Sequence, residues 1–139
     1  MKQVLIEIKG TAEYPDQEPD VTTFTTTGNY LFKDDKVEIT YNENEAIGAK
    51  NVSSKITVFN NTVTLERSGG MESQLIIEKG RRHSCLYNTP EGDFVIGIFG
   101  ESLMPELTEN GGKLYMSYTI DVYSGLISKN IMEIKIKEI

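Results

Sequence analysis

Along most of this chain apolar and polar residues alternate one for one, the period of a strand with a single buried face rather than the 3.6 of a helix. Val4, Ile6 and Ile8 alternate with Leu5, Glu7 and Lys9, which predicts a first strand almost at the N-terminus. After a polar loop, Phe24, Thr26, Gly28, Tyr30 and Phe32 share one parity of a second strand, and the glycine inside it predicts a bend. Asp34-Asp35 signals a turn into a strand with Val37, Ile39 and Tyr41 on one face. Lys55–Phe59 and Thr62–Ser68 flank Asn60-Asn61, and asparagine tolerates the positive φ that a two-residue hairpin turn requires.

Shorter strands are predicted over Gln74–Glu78, Arg81–Asn88 and Phe94–Phe99, separated by Gly80 and by Pro90-Glu91-Gly92. Glu101–Asn110 contains Pro105 and is read as a loop or a single helical turn. The longest alternation follows, with Leu114, Met116, Tyr118, Ile120 and Val122 on one face, and Met132, Ile134 and Ile136 end the chain in the same pattern. Roughly eight to ten strands with no crossover helix predict an all-β, antiparallel fold, a sandwich or a barrel. A closed barrel is the expected choice, because matching amphipathic strands at the two termini can pair and remove the open edges of the sheet. No repeat or linker divides the chain, so residues 1–139 are expected to form one domain.

Composition alters this picture little. At 139 residues, 38% hydrophobic and 25% charged, the chain has ordinary globular usage. A net charge of −7, without a basic stripe interleaved with aromatics, opposes nucleic-acid binding. Lys2, Glu7 and Lys9 interrupt the apolar positions of the N-terminus, and no stretch reaches membrane-spanning length, so the expectation is a cytoplasmic protein with no membrane partner. A lone cysteine, Cys85, fits a reducing compartment. Arg81, Arg82, Lys129, Lys135 and Lys137 are read as solvated strand faces.

Several short pieces, in order, resemble a known pattern: Thr26-Thr27-Gly28-Asn29-Tyr30, Tyr41-Asn42-Glu43 with Gly48, Arg67-Ser68-Gly69, Gly80, Tyr87, Gly92, Gly111-Gly112-Lys113-Leu114, Tyr118, Gly125 and Met132-Glu133-Ile134. Together they look like the bacterial YwiB-like family. That resemblance implies a calycin-like, lipocalin-type β-barrel of unknown function, and brings no catalytic residues with it.

Candidate chemistry is sparse. Arg67 follows Val63 and Leu65 onto the apolar face of its strand, where a charge needs a carboxylate, carbonyls, water or an anion. It either sits at the barrel mouth, paired with an internal carboxylate such as Glu43 or snorkelling to solvent, or joins Tyr41, Tyr87 and Tyr118 as the polar end of an apolar pocket for a small amphiphilic or anionic ligand. His83 and Cys85 share a strand face, but residues two apart are about 6.5–7 Å from each other and a catalytic hydrogen bond needs roughly 2.6–3.2 Å. Two such ligands do not complete a zinc site. Asp16, Glu18 and Asp20 lack the glycine and the terminal glutamate of a calcium loop, Glu101, Glu106 and Glu109 show no paired-acid spacing, and the Gly-Gly pairs lack a following lysine and helix. The expectation is a protein without cofactor, metal or catalytic set. Leu5, Phe59, Phe99, Tyr115 and Tyr123 fall on the outward parity, and a homodimer through them is the alternative to a ligand-binding barrel.

Overall fold

The computed structural model describes residues 2–42, 52–69, 73–89, 92–122 and 125–139, with only the backbone given for Tyr87–Thr89 and Leu126. It has ten strands: β1 (Lys2–Glu13), β2 (Asp20–Lys33), β3 (Lys36–Asn42), β4 (Ser53–Phe59), β5 (Thr62–Ser68), β6 (Ser73–Glu78), β7 (Arg82–Thr89), β8 (Gly92–Thr108), β9 (Gly111–Val122) and β10 (Gly125–Glu138). Each pairs antiparallel with its chain neighbour, and β1 pairs with β10 to close an up-and-down barrel. First and last strands do pair, from Val4 opposite Glu138 to Glu13 opposite Lys129.

Strictly alternating direction places every second connection at the same end. At one end, here the base, the turns are tight. Asp34-Asp35 and Asn60-Asn61 all have positive φ, between 50° and 62°, the primed-turn geometry that matches strand twist. Gly80 turns β6 into β7 with φ 79°, and Glu109-Asn110 join β8 to β9. Lys2 reinforces the base, its Nζ donating to Glu138 Oε1 at 2.6 Å, Glu109 O at 3.0 Å and Asn110 Oδ1 at 3.2 Å. At the other end, the mouth, lie the connections after β1, β3, β5, β7 and β9.

At Gly28 of β2 the neighbouring strands leave no room for a side chain. It stands opposite Val4 and Tyr41, and a Cβ there would collide with the carbonyl oxygen of Thr40 and press on Ile6 Cδ1. Two expectations change. The polar stretch after Lys9 is partly strand, since β1 runs to Glu13 and leaves residues 14–19 as the loop. Glu101–Asn110 is neither loop nor helical turn, because β8 continues through a bulge between Gly100 and Ser102 and pairs with β9 as far as Thr108. Pro105 is tolerated there because β7 ends its pairing at Arg82 and Phe99, leaving this part of β8 an edge on one side.

The core fills the base half. Val4, Ile6, Tyr30, Val37, Ile39, Val63, Ile77, Ile98, Leu114, Met116, Ile134 and Ile136 are buried on the inner face. Tyr30 satisfies its hydroxyl by donating to Thr108 O at 2.7 Å, and burial pushes its pKa up to about 12. Outside the wall, Arg82 of β7 reaches across β8 to Asp121 of β9, with Nε at 3.1 Å and Nη2 at 2.6 Å from the two carboxylate oxygens. It passes over Gly97, where any side chain would occupy the place of the guanidinium.

Candidate functional site

Strand register decides which polar residues meet. Gly28 lies opposite Tyr41, Tyr41 opposite Ser54, Ser54 opposite Arg67, Arg67 opposite Ser73, Ser73 opposite Tyr87, and Tyr87 opposite Phe94. These residues form one continuous row across β2 to β8 near the mouth. The next core-facing row toward the base is Tyr30, Ile39, Ile56, Leu65 and Leu75, almost wholly apolar. A polar girdle therefore sits directly above an apolar floor.

Below and inside that girdle is a hollow of about 500 Å³. Its β4–β6 wall is Ser54, Ile56, Leu65, Arg67, Ser73 and Leu75, with Lys55 and Glu66 at its rim, and its opposite wall is Phe94, Ile96, Tyr118, Ile120, Val122, Ile127 and Met132, with Tyr41 beside Ser54. A more polar cleft of about 990 Å³ opens outward from it, shares Tyr41, Ser54, Arg67 and Ser73 with it, and adds Thr27, Asn29, Asn42, Ser68 and Gln74. A smaller space of about 250 Å³ lies beside Gly10, Thr22 and Asn130, bordered by the same Tyr118 and Met132. A Cβ added at Gly10 would meet nothing, so nothing packs against that position.

The sequence-predicted residues thus divide. Tyr41, Arg67 and Tyr118 all line the hollow. Tyr87 belongs to the polar row by its backbone pairing, its side chain lying outside what is described, and Glu43 lies outside the described residues altogether. The expected pairing of Arg67 with Glu43 is therefore not addressed. Tyr41 also stacks obliquely on Phe24, with ring centroids 6.1 Å apart. Ser54 and Ser73 were missed by sequence reasoning. Small hydroxyl residues in strands carry no signal until register places them on either side of Arg67.

The remaining candidates take structural roles. His83 Nε2 is 3.0 Å from Glu78 Oε1, and the buried Cys85 Sγ accepts from the Ile76 N–H at 3.4 Å. That contact lies in the β6–β7 seam, whose only ladder pair among the described residues is Ser73 with Tyr87. Asp16 and Glu18 are exposed in the β1–β2 loop, while Asp20 begins β2. Glu101 and Glu106 are spread along β8, Glu101 facing Lys129 at 3.8 Å, and Glu109 lies in the turn at the base. Among the described residues no group of three or more His, Cys, Asp or Glu side chains could hold a metal. The outward hydrophobic residues do not form one patch: Leu5, Phe59, Phe99 and Tyr115 lie on β1, β4, β8 and β9, with β5, β6 and β7 between the two phenylalanines, and Tyr123 is outside the described residues. Leu86 and Val95, directly opposite each other on β7 and β8, are instead the adjacent exposed pair.

Comparison with known proteins agrees with the architecture. The chain is 26% identical over 125 residues to the uncharacterized beta-barrel protein YwiB of Bacillus subtilis (strain 168), covering 88% of this chain and 86% of that protein. The crystal structure of ywiB protein from Bacillus subtilis superposes with a TM-score of 0.79 at 22% identity, covering 96% of this chain and 91% of the other. The family model described as domain of unknown function (DUF1934) matches residues 6–134, and with the barrel and nearly the whole chain so matched, this protein belongs to that YwiB-like family.

Proposed function

We propose that this barrel is a non-enzymatic binding module that holds a small amphiphilic or anionic ligand in the hollow behind its mouth. The observation that carries this reading is the coincidence of an apolar hollow of about 500 Å³ with a cluster of charged side chains on its rim, Arg67 with Lys55 and Glu66 beside it. The volume falls within the range of roughly 300–1,000 Å³ typical of ligand sites, which are mostly apolar with a few placed polar groups. A core built only for stability would close such a space, since unfilled volume forfeits packing contacts. The outward face carries Glu7, Lys9, Glu38, Lys55, Lys113, Glu133 and Lys135, which suits a water-facing barrel and not one whose outer wall meets lipid.

Native mass spectrometry of protein purified from a bacterial host tests this. A retained mass, or one acquired from a metabolite extract, is expected for the parent and not for Leu75→Trp, whose indole fills the hollow. If the parent neither retains nor acquires a mass, and no extract raises its melting temperature, the reading fails.

A second reading, assembly of identical chains in a cytoplasmic setting, draws on Leu86 and Val95, 58% and 64% exposed. Sedimentation over a wide concentration range separates the two: a species that remains a monomer throughout argues against assembly and leaves the binding reading intact.

A further inference from the structure

The shape of the hollow and the rings around it identify the kind of ligand it takes, given that it takes one at all. On the β4–β6 wall the hollow is shallow. Ser54, Arg67 and Ser73 form its upper row and Ile56, Leu65 and Leu75 its lower, while Val58, Val63 and Ile77, two residues further along each strand, are already buried core. Adjacent rows on one face are separated by two residues, roughly 7 Å. The space is broad across the barrel, reaching Ile120 and Met132 on the far wall, where it also runs three rows along β9, from Val122 to Tyr118.

A hollow that is broad in both directions fits a compact ring body better than a single extended alkyl chain, which would leave part of its width unfilled. Three aromatic side chains, Tyr41, Phe94 and Tyr118, border it. Rings so placed favour edge-to-face or offset contacts with a second aromatic system over contacts with a flexible chain. Arg67 has a serine directly opposite on each neighbouring strand, Ser54 and Ser73. Residues this small leave the guanidinium within reach of the hollow and add hydroxyl donors on both sides, a set suited to the oxygens of one planar anion.

We propose that the hollow takes an aromatic monocarboxylate, its ring body between the Ile56–Leu65–Leu75 floor and Tyr118, and its carboxylate on the Ser54–Arg67–Ser73 row. This inference rests on the binding reading above and narrows it.

Isothermal titration calorimetry with four probes tests it: 2-naphthoate, the isosteric neutral 2-naphthamide, and the linear octanoate and decanoate. Naphthoate is expected to bind roughly tenfold or more tightly than naphthamide, the advantage of a hydrogen-bonded charge over a neutral group. In Arg67→Met that preference should fall to about unity while naphthamide binding is kept, and Arg67→Lys should recover part of it. Equal melting temperatures for the three proteins exclude a folding defect. Should naphthamide bind as well as naphthoate in the parent, the anion site is wrong although the hollow still binds. If decanoate binds more tightly than naphthoate, and more tightly than octanoate by the roughly fifteenfold that two buried methylenes bring, the ligand is a chain and the ring body is wrong. Absence of binding by all four, naphthamide included, overturns the binding reading as well.

Discussion

The two ends of this barrel are built from the same alternating strands and yet are opposite in construction. At the base, two-residue turns force adjacent strands together, and their inner residues, Val4, Val37, Val63, Ile77 and Ile98, meet with almost no exposed surface. At the mouth the same strands carry Tyr41, Ser54, Arg67, Ser73 and Ser128 on or near the inner face, and a hollow replaces the core. The difference is chiefly one of side-chain choice, since most strand pairs, the β6–β7 seam apart, continue through both halves. Barrels of modest strand number can be filled by side chains or hold one ligand, and an unfilled end is available for polar groups that a packed core would reject.

The largest effect should separate the halves directly. Ile77→Ala removes a fully buried side chain from the packed base and is expected to cost about 4 kcal/mol, because the cavity it leaves cannot collapse. Leu65→Ala, one row from the girdle and already bordering empty space, should cost about 1 kcal/mol. Urea unfolding of the two variants measures the contrast. Equal costs would mean that the hollow is not empty in solution.

Gly28→Ala tests the junction between the halves. The added methyl meets the Thr40 carbonyl, a backbone atom that cannot rotate away, so β2 and β3 must separate where the polar row begins. A loss of about 2–3 kcal/mol is expected by thermal or urea unfolding. A variant as stable as the parent would show that the strands are not so close there.

How much of this was legible in the sequence follows from what each residue depends on. The Asn60-Asn61 and Asp34-Asp35 turns and the pairing of the terminal strands rest on local chemistry and period, and were readable. The inward parity of Arg67 and Tyr118 was readable for the same reason. The continuation of β8 past Glu101 was not, because Pro105 reads locally as a breaker and only the early end of β7 makes it an edge residue. Nor could Ser54 and Ser73 be found, since register between strands, not spacing along one, makes them neighbours of Arg67.

A smaller effect belongs to the base. Tyr30→Phe leaves the Thr108 carbonyl without its donor and should cost about 1–2 kcal/mol. The hydroxyl also has a pH consequence. Its folded pKa, about 12, lies above the ordinary 10.0, so the unfolded chain ionises first; the stability it carries is complete below pH 10 and is lost as pH rises toward 12. Melting curves in that window should fall less steeply for Tyr30→Phe than for the parent, and parallel curves would remove Tyr30 as the cause.

The smallest effect sits on the outer wall beside the hollow, where the Arg82–Asp121 pair straps β7 to β9 across β8. Asp121 is held below the usual carboxylate range, first by the hydrogen bond from Arg82 and further by its charge, with burial opposing both. A carboxyl whose folded pKa is depressed stabilises the fold above its unfolded pKa and loses that contribution as pH falls through the folded one. Glu38 behaves alike, chiefly through its hydrogen bond from Lys36, so acid titration of the parent alone mixes the two sites. Asp121→Asn isolates the strap: relative to the parent its melting temperature should be slightly lower near about pH 7, and the gap should close toward about pH 3. Gly97→Ala, which pushes the guanidinium aside without touching either charge, should reproduce the same narrowing gap. Amide exchange gives the spatial answer, because faster exchange in β8 and β9 near Gly97, with Val63 and Ile77 unchanged, is the result expected if the mouth half is tied from outside and the base half from within. Uniform acceleration through both halves would mean that the barrel opens as one unit and that the contrast between its ends does not extend to stability.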